Sequence, residues 1–309
     1  MTPHRRLVLR ALLASAIGVV AVGAVGAELA DHEVIPGKSV LDDIDGACDV
    51  SSPAFAYYGT PGQEISGTFY SAARRRAVGY TIGYPPGHGP GDELPLVVML
   101  HGEGGNHKSA LTSLKPAQAV ALRDPGTSGG HGAKAQPKPV AMVTVDGGRG
   151  YWNPHPGDNP MGMLTGELIP MCQRRGLGRG PRRIGAMGIS MGGYGALLLA
   201  EKHPELIGAV AAISPAVWTS YTQAKAVNAE AYASAADFAA DDAVTHASAL
   251  AGIPVRVAAG YDDPFYPGVQ ALARKLPHGA VTEFGKGCHT GPFFTEQEPP
   301  SVAFLRAHL

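Results

Sequence analysis

Ser190 sits in the five residues Gly188-Ile189-Ser190-Met191-Gly192, between the apolar run "RRIGAMGIS" and the helical pattern "MGGYGALLLAEKH". A serine at a sharp strand-to-helix turn is placed to act as a nucleophile. The flanking glycines remove side chains that would clash, and the hydroxyl is lifted above the sheet edge. The start of the helix adds unpaired N–H groups and partial positive charge beside the reacting atom. A competing reading makes Ser190 only the cap of that helix, a preferred role for serine. The strand before it and the helix after it favour the nucleophile.

Three further segments end in residues that a nucleophilic serine needs. "LPLVVMLHGEGGNH" closes in His101-Gly102-Glu103-Gly104-Gly105, whose glycines let the backbone approach a ligand closely. Acyl transfer builds negative charge on a former carbonyl oxygen, so we assign the backbone N–H groups of Glu103 and Met191 to that oxyanion. His101 itself is read as a structural hydrogen-bonding residue. "IPVRVAAGYDDPFYPG" ends in two carboxylates, of which Asp263 is chosen to orient a histidine, with Asp262 as the alternative. "VTEFGKGCHTGPFF" carries His289, placed after both Ser190 and the Asp pair in a glycine-rich loop. Its imidazole can carry a proton from the serine to a leaving group near neutral pH.

These residues require elements that hold them. "LPLVVMLHG", "PVAMVTVDG", "RRIGAMGIS", "GAVAAISP" and "IPVRVAAGYDD" are near-continuous apolar runs ending in turn residues, as buried parallel strands are. "RAVGYTIGYPP" alternates like a half-exposed strand, and "VTEFGKG" is a weaker last one. Helices are predicted over 161–175, 191–203, 228–250, 268–276 and 296–309. This alternation gives an α/β fold, a mostly parallel sheet with helices on both faces. Ligands of such sheets sit at the carboxyl ends of the strands, where all four chemical segments lie.

The 309 residues divide into an N-terminal segment 1–27, a Gly/Pro/Ser/Asp-rich extension 28–65 and one domain 66–309 with a helical insertion around 215–251. "MTPHRR" followed by an apolar stretch and Val25-Gly26-Ala27 reads as a cleavable export signal, with Arg5-Arg6 in a twin-arginine setting. Secretion or a cell-envelope location follows. The other reading of the segment is a retained membrane anchor. The net charge is −1, and loss of the three arginines of the signal leaves 22 basic against 26 acidic residues, or −4. A mildly acidic body gives no reason to expect nucleic acid as partner. Cys48, Cys172 and Cys288 allow one disulfide in an oxidising compartment, in any of three pairings. Residues 123–139 read as a Gly/Pro-rich surface loop.

"LHGEGGNH", "GISMGGYGALLLAEKHPE", "AAGYDDPFYPG" and "GCHTGPFF" together resemble the esterase D-type branch of the α/β-hydrolases, relatives of S-formylglutathione hydrolases, feruloyl and acetyl-xylan esterases, and mycolyltransferases. The likeness spans residues 65–309. It implies the α/β-hydrolase fold, Ser190 as nucleophile, Asp263 as acid, His289 as base, and Glu103 and Met191 as oxyanion donors. Mycolyltransferases lack a histidine before the first oxyanion glycine, whereas this chain has His101-Gly102. That favours ester hydrolysis over acyl transfer to a sugar.

The expected activity is that of a secreted serine carboxylesterase working through an acyl-enzyme, without metal or organic cofactor, on a small-molecule, lipid or acyl-sugar ester. An acyltransferase and a non-catalytic envelope-binding protein are the competing readings. "DGGRGYWNPHPGDNPMGM" (146–163) offers Tyr151, Trp152, His155 and Asp158 as substrate-binding candidates, and Trp218 of the insertion is a fifth. A packing role for such a Pro/Gly/Trp loop is the alternative. Asp241, Asp242 and His246 have helical metal-ligand spacing but no accompanying ligands, so they are read as a solvated face and cap.

Overall fold

The computed structural model describes residues 48–50, 54–125, 137–181 and 183–309. Residues 1–27, read above as an export signal, the extension up to residue 47 and the centre of the 123–139 loop lie outside the described residues.

Eight strands form one sheet: β1 (Glu64–Ser71), β2 (Arg76–Gly83), β3 (Leu96–Leu100), β4 (Ala141–Val145), β5 (Ile184–Ile189), β6 (Ile207–Ile213), β7 (Val255–Gly260) and β8 (Val281–Gly285). Their spatial order is β1-β2-β4-β3-β5-β6-β7-β8. β1 pairs antiparallel with β2 and β2 with β4, and all later pairs are parallel. This is the α/β-hydrolase arrangement that the sequence motifs imply. β3 to β6 are buried along their whole length, which is why they read as unbroken apolar runs. β2 is buried from Val78 onward rather than half exposed: Val78, Tyr80 and Ile82 join the core on one face, while His107 packs on Gly79 and Ala117 on Gly83 at the other. β1 itself falls at the boundary of the extension and carries no apolar run that predicts it.

Helices α1 (Pro116–Ala119), α2 (Pro160–Met163), α3 (Ile169–Arg174), α4 (Met191–Lys202), α5 (Tyr221–Val227), α6 (Ala235–Ala240), α7 (Tyr266–Ala273) and α8 (Gly291–His308) pack around the sheet. The predicted helix over 161–175 is α2 and α3 joined by a π turn, Leu164–Leu168. A proline at position 170 cannot donate to the carbonyl four residues back, and its ring would clash there. The wider π turn just before it relieves that contact.

The single long helix predicted over 228–250 is not formed. Ser220 and Ser234 cap two short helices, and Ala231 and Tyr232 are buried between them. A 3₁₀ turn, Ala247–Leu250, closes the insertion. The last helix starts at Gly291, five residues before the predicted Glu296.

The chain departs from β3 toward β4 on one side, and from β5 toward β6 on the other. The loops leaving the adjacent carboxyl ends of β3 and β5 therefore diverge and open a crevice between them.

Candidate active site

Ser190 lies at that crevice, at the end of β5, with φ 56° and ψ −123°. A non-glycine residue in this region is strained, and its neighbours hold it there. Its N–H donates to Ile213 O (3.0 Å), and its carbonyl accepts from Tyr194 N–H and Ala216 N–H, both at 3.0 Å. A Cβ at Gly188 would stand 2.0 Å from Gly192 O, and one at Gly192 would stand 2.0 Å from Leu100 O. Only glycine fits either place. The Ser190 hydroxyl caps no helical N–H, so the capping reading falls.

That hydroxyl lies 2.8 Å from His289 Nε2, and His289 Nδ1 lies 2.9 Å from Asp263 Oδ2. A carboxylate only accepts, so Nδ1 carries the ring proton and Nε2 is left to accept from the serine O–H. Asp263 Oδ1 accepts the Phe265 N–H at 2.8 Å, and the Asp263 side chain is fully buried. It is Asp263 rather than Asp262 that faces the histidine. Phe265 and Phe294 flank the imidazole, each with its ring centre 4.9 Å away. The His289 loop is held to the end of β7 by Asp262 N–H to Gly287 O (3.0 Å). It is also tied covalently: Cys48 and Cys288 form a disulfide, and Cys172 is a buried free thiol whose pKa burial pushes up to about 12.

The loop after β3 runs beside Ser190, since a Cβ on Gly102 would meet the Ser190 Cβ at 3.4 Å. His101 is fully buried. Its Nδ1–H donates to Gly102 O (2.7 Å) and its Nε2 accepts the Gly147 N–H (2.8 Å). Burial lowers its pKa, which keeps the ring neutral for this pair of bonds. Gly105 N–H also donates to Gly102 O (3.1 Å). The peptide joining Gly102 to Glu103 is thereby fixed, with the Glu103 N–H on its opposite side. Met191 N–H begins α4 and has no acceptor within the helix.

A cavity of about 420 Å³ opens over Ser190 and His289. Of the five substrate-binding candidates, Tyr151 lines it and the other four do not. Trp152 is wholly buried: its ring lies over Gly147 and Gly195, where a Cβ would come within 2.2 Å and 2.5 Å of it, and 5.1 Å from the His101 ring. Asp158 is held by Arg74 through two hydrogen bonds of 2.7 and 2.9 Å, and by Arg76 at 3.2 Å. His155 Nε2 bonds Gly150 O at 2.7 Å. Trp218 packs edge-on against Phe265 at 4.7 Å, and so supports a cavity wall from behind. The loop 146–158 is mostly a packed strut.

The remaining walls come from residues that sequence reasoning passed over: Ser109, Ala110, Thr112, Ile189, Val227, Phe265 and Phe294. Phe265 and Phe294 stand two and five residues after Asp263 and His289, a closeness that could have marked them. The segment 109–112 carries no signal in its composition. Asp241 pairs with Lys202 (3.1 Å), His246 Nδ1 lies 3.2 Å from Glu201, and Asp242 accepts from Val244 N–H and Thr245 O–H. The first two contacts tie the insertion to the end of α4, and those of Asp242 stay within the insertion.

The described chain superposes on a ferulic acid esterase with a TM-score of 0.62 at 16% identity, covering 81% of this chain and 100% of that one. An S-formylglutathione hydrolase from Agrobacterium tumefaciens gives 0.61 at 17% identity, covering 82% and 97%. A fluorophosphonate-binding serine hydrolase of Staphylococcus aureus gives 0.60 at 15%, covering 80% and 99%. Likeness at this identity establishes a shared fold. No curated protein matches the sequence. The family model described as "Putative esterase" matches residues 71–274, well over half the chain. The chain belongs to this esterase family.

Proposed function

We propose that this protein is an exported serine carboxylesterase in which Ser190, His289 and Asp263 act as nucleophile, base and orienting acid. The observation that carries the reading is the continuous pair of contacts, Ser190 Oγ to His289 Nε2 at 2.8 Å and His289 Nδ1 to Asp263 Oδ2 at 2.9 Å. Ser190 Oγ attacks the ester carbonyl carbon while its proton passes to His289 Nε2. Asp263 stabilises the imidazolium. The tetrahedral oxyanion is met by the N–H groups of Glu103 and Met191, held in place before reaction. The C–O bond to the alcohol then breaks, and His289 returns the proton to the leaving oxygen. Water, deprotonated by His289, attacks the acyl-Ser190 carbonyl; the bond to Ser190 Oγ then breaks, His289 returns the proton to that oxygen, and the carboxylic acid leaves. The sequence calls for no cofactor. Tyr151, Ile189, Phe265 and Phe294 give the cavity apolar walls, suited to an uncharged acyl or aryl group.

Export is supported by the signal pattern of residues 1–27 and by the Cys48–Cys288 disulfide, a bond that persists in oxidising compartments. The test is turnover of nitrophenyl esters from acetate to octanoate by the mature protein and its Ser190→Ala variant. Turnover by the first and its loss in the second is the expected result. A folded wild type that hydrolyses none of the series, and whose Ser190 resists a serine-reactive phosphonate, overturns the reading.

A further inference from the structure

One buried carboxyl group has no part in the mechanism above, yet it touches the wall of the same cavity. Glu298 in α8 is wholly buried. Its Oε1 accepts two hydrogen bonds from one residue, the Thr112 N–H at 2.9 Å and the Thr112 O–H at 2.7 Å. Its Oε2 is buried without a partner among the described residues. Among the described residues no arginine or lysine pairs with Glu298, and burial raises its pKa against the lowering effect of the Thr112 bonds. Leaving such a group inside a protein is costly, so an apolar residue would be the cheaper filling if packing were its whole task.

Thr112 lines the cavity over Ser190. Its single hydroxyl proton goes to Glu298, and its oxygen is 2.7 Å from Thr295 Oγ1, which in turn is 3.0 Å from Ser113 Oγ. Thr112 and Ser113 are thus fastened to one face of α8, on which Thr295 and Glu298 lie one turn apart. Phe294, next to Thr295, forms another cavity wall and flanks the imidazole of His289. Two walls supplied by chain segments about 180 residues apart are therefore pinned to each other through the Glu298 carboxyl oxygen, with the Thr112–Thr295 hydroxyl contact beside it.

We propose that Glu298 is a positioning residue for substrate selection: it fixes Thr112 against α8, sets the width of the cavity between Thr112 and Phe294, and so determines which esters are bound by size. The proposal rests on the esterase reading, because it concerns the same cavity. Glu298 touches neither Ser190 nor His289, so its removal acts on the fit of larger groups and leaves the reacting atoms in place.

The experiment measures kcat and KM for nitrophenyl acetate, butyrate and octanoate with wild type, Glu298→Ala and Glu298→Gln. In Glu298→Ala, KM for the octanoate rises by about tenfold, the loss of two hydrogen bonds at a wall, while kcat for the acetate stays within about twofold. Glu298→Gln keeps an oxygen that accepts both Thr112 bonds, and it restores the wild-type profile. Thr112→Val, which preserves volume and removes only the hydroxyl, raises KM for the octanoate about threefold. It decides the matter if Glu298→Ala does not fold. An equal fall across all three esters, an unchanged profile, or a glutamine variant that behaves like alanine overturns the proposal. If wild type hydrolysed no ester and Ser190 resisted the phosphonate, the esterase reading itself would fall, an outcome distinct from those.

Discussion

Two stretches at the carboxyl edge of the sheet are crowded with polar and aromatic residues, and they end in opposite conditions. In the set Ser190, Asp263 and His289, the side-chain contacts run from the buried Asp263 through His289 to Ser190 and end at an open cavity. In the loop 146–158, nearly every polar contact closes back on the protein: Asp158 on Arg74, His155 on Gly150, Asn153 on Ala231. Both stretches contain non-glycine residues at positive φ, Ser190 in the first and the consecutive pair Tyr151 and Trp152 in the second. Backbone strain marks a constrained place in each case. In the first the constraint presents a hydroxyl to the cavity, and in the second it turns Tyr151 into the cavity while driving Trp152 under the floor. A residue's chemistry is available to a ligand only where its hydrogen-bonding capacity has not been spent inside the fold.

Substitution on each side separates the two conditions most widely. Ser190→Ala is expected to lower kcat by about 10⁴-fold or more. Its thermal midpoint should stay near that of wild type, because the hydroxyl caps nothing. Trp152→Ala is expected to cost about 3–5 kcal/mol of stability, as removal of a large buried ring does. Activity is lost with it only as the fold is lost. Denaturant melts and steady-state kinetics on the same preparations check both. A destabilised Ser190→Ala, or a Trp152→Ala that is stable yet inactive, would erase the distinction.

The next effect concerns how each stretch is held. The His289 loop depends on a covalent tie through the adjacent Cys288, whereas the 146–158 loop depends on Trp152 and the Arg74–Asp158 pair. Opening the disulfide, by reductant or by joint Cys48→Ser and Cys288→Ser replacement, is expected to cost about 2–5 kcal/mol in stability. Below the melting range it should lower kcat with little change in KM, since His289 is the one cavity-lining residue next to Cys288. Phosphonate labelling of Ser190 should slow in step with kcat. A change confined to KM would show that the disulfide shapes the walls instead.

The same contrast explains what could be read from the sequence. Ser190 and Asp263 each follow a strand whose apolar run is unmistakable, and the strand fixes where the next residues must stand; His289 follows the weak, largely exposed β8 and was legible from its place after the other two. His101 was also legible, because a histidine so close to a buried strand has backbone partners at hand. Trp152, His155 and Asp158 misled because their partners are distant in sequence: Arg74 is 84 positions from Asp158, and Gly195, which makes room for the Trp152 ring, lies in α4. The Cys48–Cys288 pairing spans 240 positions and left no local trace. Alanine-rich composition over 228–250 suggested one helix, but Ser234 and the burial of Tyr232 outweighed propensity. Thr112, which lines the cavity, has its side-chain partner 186 positions away in Glu298, and no local pattern could have announced it.

The smallest effect to look for is the pH dependence of stability, where two carboxyl groups should act with opposite sign. Burial raises the Asp158 carboxyl, but the hydrogen bonds and charge of Arg74, aided by Arg76, outweigh it and hold the folded pKa below the usual 3.8. Its contribution is present above that value and is lost as pH falls toward the lower folded pKa. Burial of Glu298 outweighs its bonds from Thr112 and holds the folded pKa above the usual 4.5. The folded state therefore prefers this group protonated. Stability is reduced above the raised pKa and recovers as pH falls through it toward 4.5. Melting temperatures of wild type, Glu298→Gln and Asp158→Asn between pH 3 and 8 should show this as differences between curves. Glu298→Gln should remove the gain on mild acidification and leave the loss in strong acid. Asp158→Asn should do the reverse, from a lower starting stability because Arg74 is then buried beside a neutral partner. Parallel curves for wild type and Glu298→Gln would mean that Glu298 titrates alike folded and unfolded, and that the Thr112 bonds cancel the cost of its burial.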